Sequence, residues 1–283
     1  MEQPIAVLAD VYYQPVQLID VFVSMIKEKK ETANTQLQVI VSKPEESLTK
    51  ILTEDANHSV YKYLSKPYQV KVPRYPPLTR KQYEEALLYW PVSFHEDKRI
   101  SNLLSGKFFT DKELNTIKYH MKEAIQCAEQ AKIKNQIPVG AIVVDPANDK
   151  VIAKAHDLRS GNHPLQHTAM VCIDMVARSQ GGGMWKNIEG MYYLDSESES
   201  TDTTGAYLCT GYDVYLTREP CIMCSMALVH SRVSRVFYGS STIDGALGSK
   251  YKLHTQKEIN HRFDVFKGVL QKDCDQLDNT GVT

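Results

Sequence analysis

The sequence lacks a net charge of either sign, since 33 lysines and arginines are balanced by 34 aspartates and glutamates, which leaves a formal charge of −1. A protein that attracts nucleic acid through its whole surface is strongly basic, so any RNA-binding surface here must be local. No apolar run approaches the length of about 18 residues that a membrane helix needs, and no signal-peptide pattern is present. We therefore expect a soluble intracellular protein. The sequence contains no convincing basic nuclear localisation signal that would decide between nucleus and cytoplasm, so we expect the protein in both.

Cysteine is scarce as well. Six cysteines in 283 residues are too few for a disulfide scaffold and indicate reduced thiols. Two of them lie close together in the segment Glu219-Pro220-Cys221-Ile222-Met223-Cys224. We expect the other four to be buried or inert thiols: Cys127, Cys172, Cys209 and Cys274.

The spacing of Cys221 and Cys224 is typical of a zinc site. A strand-like run from 213 to 217 precedes them, and Pro220 favours the start of a helix. At a helix N-terminus this spacing places both sulfurs on one side, where the helix dipole favours thiolates. Upstream, His167 begins an apolar helical segment and completes a set of one histidine and two cysteines. A redox pair or two core thiols are the alternatives, and neither explains the histidine.

The carboxylate that normally accompanies this ligand set is missing. In the signature of zinc nucleobase deaminases, His-x-Glu precedes Pro-Cys-x-x-Cys, and the glutamate moves protons between water, ring nitrogen and leaving ammonia. Here the triplet is His167-Thr168-Ala169, and Ala169 has no titratable group. If His163 were the ligand instead, Leu165 would take the third position. Loss of a general acid/base costs about a hundred- to ten-thousand-fold in rate, so we expect this chain alone to be close to inert.

A local basic stretch extends from residue 58 to residue 83, which contain no aspartate or glutamate. Its basic residues are Lys62, Lys66, Lys71, Arg74, Arg80 and Lys81, interleaved with Tyr61, Tyr63, Tyr68, Tyr75 and Tyr83. Basic side chains neutralise phosphates and aromatic rings stack on unpaired bases, which is the chemistry of single-stranded RNA recognition. A strand and proline-rich linker with a solvated basic face is the alternative, and composition alone does not decide between the two.

The hydrophobic pattern predicts two domains, residues 1–105 and 106–283. The first is predicted to be a small α/β domain, and its proposed role is tRNA binding. Its predicted strands are 5–11, 36–41 and 68–72, and its predicted helices are 18–26, 45–52 and 80–90.

The second domain is predicted to be a cytidine deaminase-like three-layer α/β/α sandwich with a zinc site. A capping box, Thr110-x-x-Glu113, begins an amphipathic helix. Strands at 139–144 and 151–154 form a predicted hairpin, followed by the His167 helix, the strand 213–217, the Cys221 helix and the strand 233–238. This alternation places a metal between two helix N-termini. Residues 181–183 and 196–200 are predicted to belong to a polar loop between the halves of the site.

These motifs resemble tRNA adenosine deaminases over most of residues 110–275. The resemblance is carried by residues 139–144, the His167 helix, the block 212–239 and the segments from 245 to 274. The missing glutamate and the N-terminal domain, with Val72-Pro73-Arg74-Tyr75 and Tyr89-Trp90-Pro91, resemble one branch: the non-catalytic subunit of the eukaryotic heterodimer that converts adenosine to inosine at the tRNA wobble position. The resemblance implies Zn²⁺ at His167, Cys221 and Cys224, a catalytic partner subunit, and tRNA gripped by the N-terminal domain.

The resemblance has further implications for the site. Active members carry a glutamate at the place of Glu219 in addition to the catalytic one, so Glu219 is no replacement. Bacterial relatives hold the base with an asparagine where this chain has His156-Asp157, and aspartate lacks the amide donor. We expect a structural zinc, whose fourth position is filled by water or by a carboxylate such as the C-terminus of Thr283.

Three questions stay open at this point. The apolar run 226–229 is a candidate partner interface, although core packing is the more common role of such a stripe. An active zinc nucleobase deaminase with an unrecognised base is one alternative function. A stand-alone zinc-stabilised RNA-binding protein is the other.

Overall fold

The computed structural model describes residues 6–7, 16–25, 38–42, 68–106, 108–161, 163–185, 192–193 and 207–278. The chain divides into two compact units, one of residues 1–11 and 103–283 and the other of residues 12–102. Among the described residues, no helix combines the length and the apolar character that crossing a membrane requires.

The described elements are as follows in chain order. The strands are β1 (Ala6–Val7), β2 (Leu18–Met25), β3 (Gln38–Ser42), β4 (Tyr68–Pro73), β5 (Gly140–Asp145), β6 (Lys150–His156), β7 (Tyr192–Tyr193), β8 (Asp213–Arg218), β9 (Arg235–Ser240) and β10 (Asp264–Lys267). The helices are α1 (Arg80–Leu87), α2 (Lys98–Leu104), α3 (Asp111–Ile133), α4 (Thr168–Ser179), α5 (Ile222–His230) and α6 (Gln271–Asp278), with a short 3-10 turn at Leu253–Thr255.

The larger unit contains a mixed seven-stranded sheet in the order β1-β10-β9-β8-β5-β6-β7. β8, β9 and β10 run parallel, and the other neighbouring strands are antiparallel. Helices α3 and α6 pack on the sheet and on each other, while α4 packs on β5 and β6 and lies beside α5. The predicted α/β/α sandwich is confirmed.

The central strand β5 is apolar along nearly its whole length because helices cover both of its faces. Ala141 and Val143 belong to the core that includes α4 and α5, and the alternate residues Ile142 and Val144 are buried as well. Gly140 begins the strand, and a Cβ at this position would overlap the backbone of Ala124 in α3. The glycine therefore lets α3 lie close against the sheet.

The amphipathic helix α3 begins where its capping box predicts. The Thr110 hydroxyl oxygen accepts a hydrogen bond from the backbone amide of Glu113 at 3.3 Å, and the Glu113 carboxylate accepts one from the Thr110 amide at 2.8 Å.

On the sheet, the rings of Tyr215, Phe237 and Phe266 stack from strand to strand at 4.7 Å and 4.9 Å. This aromatic ladder holds the three parallel strands in register.

The smaller unit contains an antiparallel sheet in the order β3-β2-β4. The prediction of a helix at 18–26 is wrong, because this segment forms β2. Ile19 and Val21 share the unit's core with Val70 and Val72, and their spacing of two residues is the period of a strand. β-branched residues also favour strands over helices. The predicted strands at 36–41 and 68–72 and the predicted helix at 80–90 correspond to β3, β4 and α1.

Two further predictions for the N-terminal region have different outcomes. The strand predicted at 5–11 was assigned to the N-terminal domain, whereas β1 pairs with β10 of the larger unit through Ala6 and Val7. The helix predicted at 45–52 lies outside the described residues. Sequence analysis did not predict α2.

Candidate metal centre

The first residues of two helices converge on one point in the larger unit. His167 is the N-cap of α4 and Cys221 is the N-cap of α5, and neither side chain makes a capping hydrogen bond. Helix N-caps are usually serine, threonine, aspartate or asparagine, whose oxygens bond the orphan amides. The two side chains here are turned towards each other instead, which is the arrangement that a shared metal ion requires.

Local sequence places the cysteines in this position. The buried strand β8 leads into Glu219-Pro220, and Pro220 cannot continue the strand's hydrogen bonding. The chain turns into α5 at once, with Cys221 at the N-cap and Cys224 in the first turn. Both sulfurs therefore lie at the positive end of the helix dipole, where thiolates are favoured.

The distances fit a tetrahedral zinc ion. The ligand atoms of His167, Cys221 and Cys224 all lie within 4.8 Å of one another. The Nδ1 atom of His167 is 3.7 Å from the Sγ atom of Cys221. Tetrahedral zinc with ordinary bond lengths separates a nitrogen and a sulfur ligand by about 3.6 Å. The donor set and its geometry therefore suit zinc, with Nδ1 as the histidine ligand.

In the described part of the chain, no other histidine, cysteine or carboxylate joins this group. Thr283, which was considered as a source of the fourth ligand, lies outside that part. The alternative ligand His163 is elsewhere, with its ring 5.5 Å from that of Trp185. The structure thus brings His167 to the cysteines and not His163.

The thiols of the site have unequal acidity. A hydrogen bond from the Cys224 thiol lowers the pKa of Cys221 to about 5, with further help from backbone amides and from His167. The same bond and burial raise the pKa of Cys224. At neutral pH the pair therefore offers one thiolate ready to bind, and the second proton is released when a metal arrives.

The remaining cysteines behave as predicted. All four are buried and free of disulfides: Cys127, Cys172, Cys209 and Cys274. Burial raises the pKa of Cys127 to about 11 and those of Cys209 and Cys274 to about 12. Buried, protonated thiols of this kind are structural groups and not reactive ones.

A cavity of about 340 Å³ opens beside the ligands. Its wall includes Ala169, the second residue of α4, which is 3% exposed and presents only a methyl group. The carboxylates that line the cavity are Asp157, Glu219 and Asp244, none of them on α4. A general acid/base next to His167 is therefore lacking on this helix.

Glu219 is fully occupied in holding a loop. Its carboxylate accepts hydrogen bonds from the backbone amides of Thr242, Leu247, Gly248 and Ser249 at 3.2, 3.1, 2.7 and 3.0 Å, and from the Ser249 hydroxyl. A Cβ at Gly245 would overlap this carboxylate, so the loop can close around it only with glycine there. Five donors surround the carboxylate, and this geometry supports the interpretation that Glu219 does not substitute for the missing base.

Asp157 and Arg159 also line the cavity. Arg159 Nε donates to both Asp157 carboxylate oxygens at 2.9 and 3.0 Å, and its Nη1 lies 3.4 Å from Nε2 of His167. Sequence analysis singled out Asp157 and missed Arg159. The one sequence signal for Arg159 is its position two residues after Asp157. At this spacing the backbone amide and the side chain of the arginine can both donate to the carboxylate.

The basic stretch lies in the smaller unit, and its described members are Lys71, Arg74, Arg80 and Lys81, all exposed. Lys62 and Lys66 lie outside the described residues. The Arg74 guanidinium is 5.4 Å from the ring centre of Tyr75, which is 56% exposed. Arg80 lies 5.5 Å from the ring of Tyr83 and forms an ion pair with Glu84 at 3.2 Å. Arg74 and Tyr75 are therefore more accessible to a ligand than Arg80 and Tyr83.

The apolar run 226–229 on α5 was considered for two roles, core packing and contact with a partner chain, and its residues differ in burial. Leu228 and Val229 are buried in the core, whereas Met226 and Ala227 are half-buried. Two further apolar side chains are more exposed. Ile243, which lines the cavity, is 90% exposed, and Ile222, which follows Cys221 in the sequence, is 44% exposed.

Comparison with known proteins gives consistent matches. The family model of the cytidine and deoxycytidylate deaminase zinc-binding region matches residues 114–240. The probable inactive tRNA-specific adenosine deaminase-like protein 3 of Danio rerio is 49% identical over 218 residues, which cover 76% of this chain and 65% of that protein. The chain thus spans slightly less than two thirds of that relative's length.

A more distant relative matches over a larger share of its own length. The tRNA-specific adenosine deaminase subunit tad3 of Schizosaccharomyces pombe is 30% identical over 241 residues, which cover 84% of this chain and 70% of that protein. Among solved structures, one from a study of A-to-I editing by tRNA:A34 deaminases is 24% identical, with a TM-score of 0.44 and coverage of 56% of this chain and 98% of that one.

Proposed function

Because the chain belongs to the family of tRNA-specific adenosine deaminases, we propose that it is the non-catalytic subunit of a heterodimer that converts adenosine to inosine at the tRNA wobble position. One observation carries this proposal: the zinc ligand set is complete, while Ala169 stands where the general acid/base belongs. The chain is then no enzyme on its own but a required part of a zinc-dependent hydrolase complex.

The ligand set serves structure in this role. A zinc ion supplies a tetrahedral cross-link when it is bound at such a site, and it acidifies any water in its fourth position. The thiolates of Cys221 and Cys224 tie the start of α5 to His167 and hence to the start of α4. Two helices that cover one face of the sheet are thereby fixed against each other.

The partner we propose is a catalytic deaminase chain with an intact His-x-Glu. The Schizosaccharomyces pombe relative is itself named a subunit, which supports an assembly. The exposed apolar side chains of Ile222, which follows Cys221, and Ile243, which lines the cavity, are suitable contacts because burial against a partner would remove their apolar surface from water.

The second ligand we propose is tRNA, bound through the basic stretch of the smaller unit. Lys71 and Arg74 are exposed cations, and Tyr75 presents its ring beside Arg74. Such a pair can neutralise a phosphate and stack on an unpaired base of a loop. We place the complex in the nucleus and the cytoplasm, which fractionation of cells that express the tagged chain would test.

A reconstitution assay tests the function. Deamination of a tRNA with adenosine at the wobble position is measured with this chain alone, with the catalytic subunit of the same organism alone, and with both. Activity that requires the mixture supports the proposal. Activity of this chain alone establishes instead an active deaminase with an unrecognised base. Tight RNA binding without co-purification of any deaminase establishes a stand-alone RNA-binding protein.

A further inference from the structure

Part of the wall of the cavity that Ala169 lines is formed by an internal ion pair. Asp157 is 1% exposed, and its carboxylate lies against Arg159, whose side chain is 29% exposed. Both residues line the same cavity as the metal ligands. The Arg159 side chain reaches from Asp157 to the imidazole of His167, with 3.4 Å between Nη1 and Nε2.

The acceptors of this wall are already used. Asp157 Oδ1 accepts from the backbone amide and from Nε of Arg159, at 3.0 and 2.9 Å. Asp157 Oδ2 accepts from the same Nε at 3.0 Å and from the Thr168 hydroxyl at 3.4 Å. The Asp157 amide donates to the carbonyl of Val139 at 3.0 Å. A ligand that enters here meets an Asp157 carboxylate whose oxygens already have partners within the chain.

A neutral nucleobase needs the opposite of such a wall. Its ring nitrogens and exocyclic groups are held by donors and acceptors that water leaves on binding, such as a side-chain amide. An amino group of a base that donated to Asp157 would have to displace Arg159 and separate the two charges of a largely buried ion pair, which is strongly unfavourable. The guanidinium of Arg159 offers such a base donors only. The base gains too little from its own uncharged hydrogen bonds to compensate.

We propose that the Asp157–Arg159 ion pair closes the cavity beside His167 to neutral nucleobases, and that it is a barrier to deamination independent of Ala169. This inference deepens the proposed non-catalytic role and rests on it. Restoring a carboxylate on α4 is then insufficient, because the amino group of the substrate base still finds no free acceptor on Asp157.

The test measures access of a nucleoside to the metal, without reference to turnover. The full-length chain is loaded with Co²⁺ in place of zinc, and adenosine is added while the visible absorption of the Co²⁺–thiolate centre is recorded. The variants compared are the parent, Ala169→Glu, and Asp157→Asn combined with Arg159→Gln. In the combined variant, the side-chain oxygen of the asparagine at position 157 can still accept from the backbone amide of residue 159. The variant also supplies the cavity with a side-chain amide that is not part of an ion pair.

A second ion pair provides a matched control. Arg178 Nε donates to Asp174 at 2.9 Å, with side chains 22% and 6% exposed, and neither residue lines the cavity. Asp174→Asn combined with Arg178→Gln removes a comparable pair and should leave adenosine binding as it is in the parent. Asp157→Asn alone is the milder variant if the combined change unfolds the protein, and it should give a smaller gain.

We expect millimolar adenosine to leave the spectrum of the parent, of Ala169→Glu and of the control unchanged. The variant in which the pair is replaced should show a saturable spectral change, with an affinity for adenosine at least tenfold higher than that of the parent. Binding to the parent as tight as to the pair variant overturns the inference. So does a folded, cobalt-loaded pair variant that gains nothing. Deamination by the parent alone, assayed on the same samples, would instead overturn the proposed function, so the two failures are distinguishable.

Discussion

The Nδ1 atom of His167 lies 3.7 Å from the Sγ atom of Cys221, although 54 positions of sequence separate the two residues. Each residue is the N-cap of a helix, so the contact joins the beginnings of α4 and α5. The ligands that could hold a metal ion are present, whereas α4 carries no general acid/base beside His167. A metal bound here would therefore stabilise the fold without supporting catalysis.

Loss of one metal ligand should therefore cost stability more than it costs any reaction. We expect Cys224→Ala to bring the zinc content close to zero and to lower the melting temperature by several degrees, since metal binding stabilises only the folded chain. A chelator should reproduce this shift in the parent. Elemental analysis and thermal unfolding measure both effects.

Cys209→Ala is the control for that experiment, because Cys209 is equally buried but is not part of the ligand group. It should lose some packing energy and retain one zinc per chain. A Cys224→Ala protein that still holds stoichiometric zinc would show that the ligand assignment is wrong.

The anchoring of the loop 242–249 by Glu219 gives a second prediction. Glu219→Gln replaces one acceptor oxygen by an amide donor that faces backbone amide donors, and several bonds to a charged acceptor are lost. We expect the free energy of unfolding to fall by about 3 kcal/mol or more. Denaturant unfolding at neutral pH measures the loss.

An exposed carboxylate of the same loop provides the comparison. Asp244, with a side chain 73% exposed, pairs with Lys250 at 2.7 Å. Asp244→Asn should leave the free energy of unfolding almost unchanged, as is usual for exposed ion pairs. Equal losses for the two variants would contradict the anchoring role.

A buried histidine makes stability depend on pH. Burial lowers the pKa of His254 from 6.5 to about 4, and the nearby charge of Lys252 contributes in the same direction. The unfolded chain therefore binds more protons than the folded chain between these values, so stability is present above pH 6.5 and is lost as the pH falls towards 4. We expect a loss on the order of 2 kcal/mol across this window.

Unfolding in denaturant at several pH values between 4 and 7 tests this effect. His254→Phe retains an aromatic ring beside Phe263, whose ring lies 6.2 Å from that of His254, and should flatten the dependence. If parent and variant lose stability in parallel, another group is responsible.

The parts of the structure that were predictable from sequence rest on strong local patterns. The capping box of Thr110 and Glu113 determines where α3 begins, and the doubly buried run of β5 identifies a central strand. Cys221 and Cys224 identified their own helix start because proline and spacing act within one turn.

Other features depend on contacts that no local pattern contains. Leu18 to Met25 satisfied both a helical and a strand period by its apolar residues, and pairing with β3 and β4 determined the outcome. The contact of Arg159 with His167 arises because two segments fold against each other at the cavity. Pairing of β1 with β10 joins residues from opposite ends of the chain and has no sequence signal of its own.

The exposed pair Arg74 and Tyr75 gives the last prediction, which concerns RNA. If Arg74 neutralises a phosphate and Tyr75 stacks on a base, then Tyr75→Ala should weaken tRNA binding by about 1–3 kcal/mol. Arg74→Ala should weaken binding and also reduce its dependence on salt, because one fewer counterion is released. Filter binding of tRNA to the assembled complex at several salt concentrations separates the two effects.

Lys112 is a suitable control, since it is an exposed cation of the larger unit in the first turn of α3. Lys112→Ala removes the same charge from the protein as Arg74→Ala, so any general electrostatic attraction is lost equally in both. A larger loss for Arg74→Ala then reports a specific contact. Equal losses would mean that Arg74 contributes to tRNA binding only through its charge and makes no specific phosphate contact.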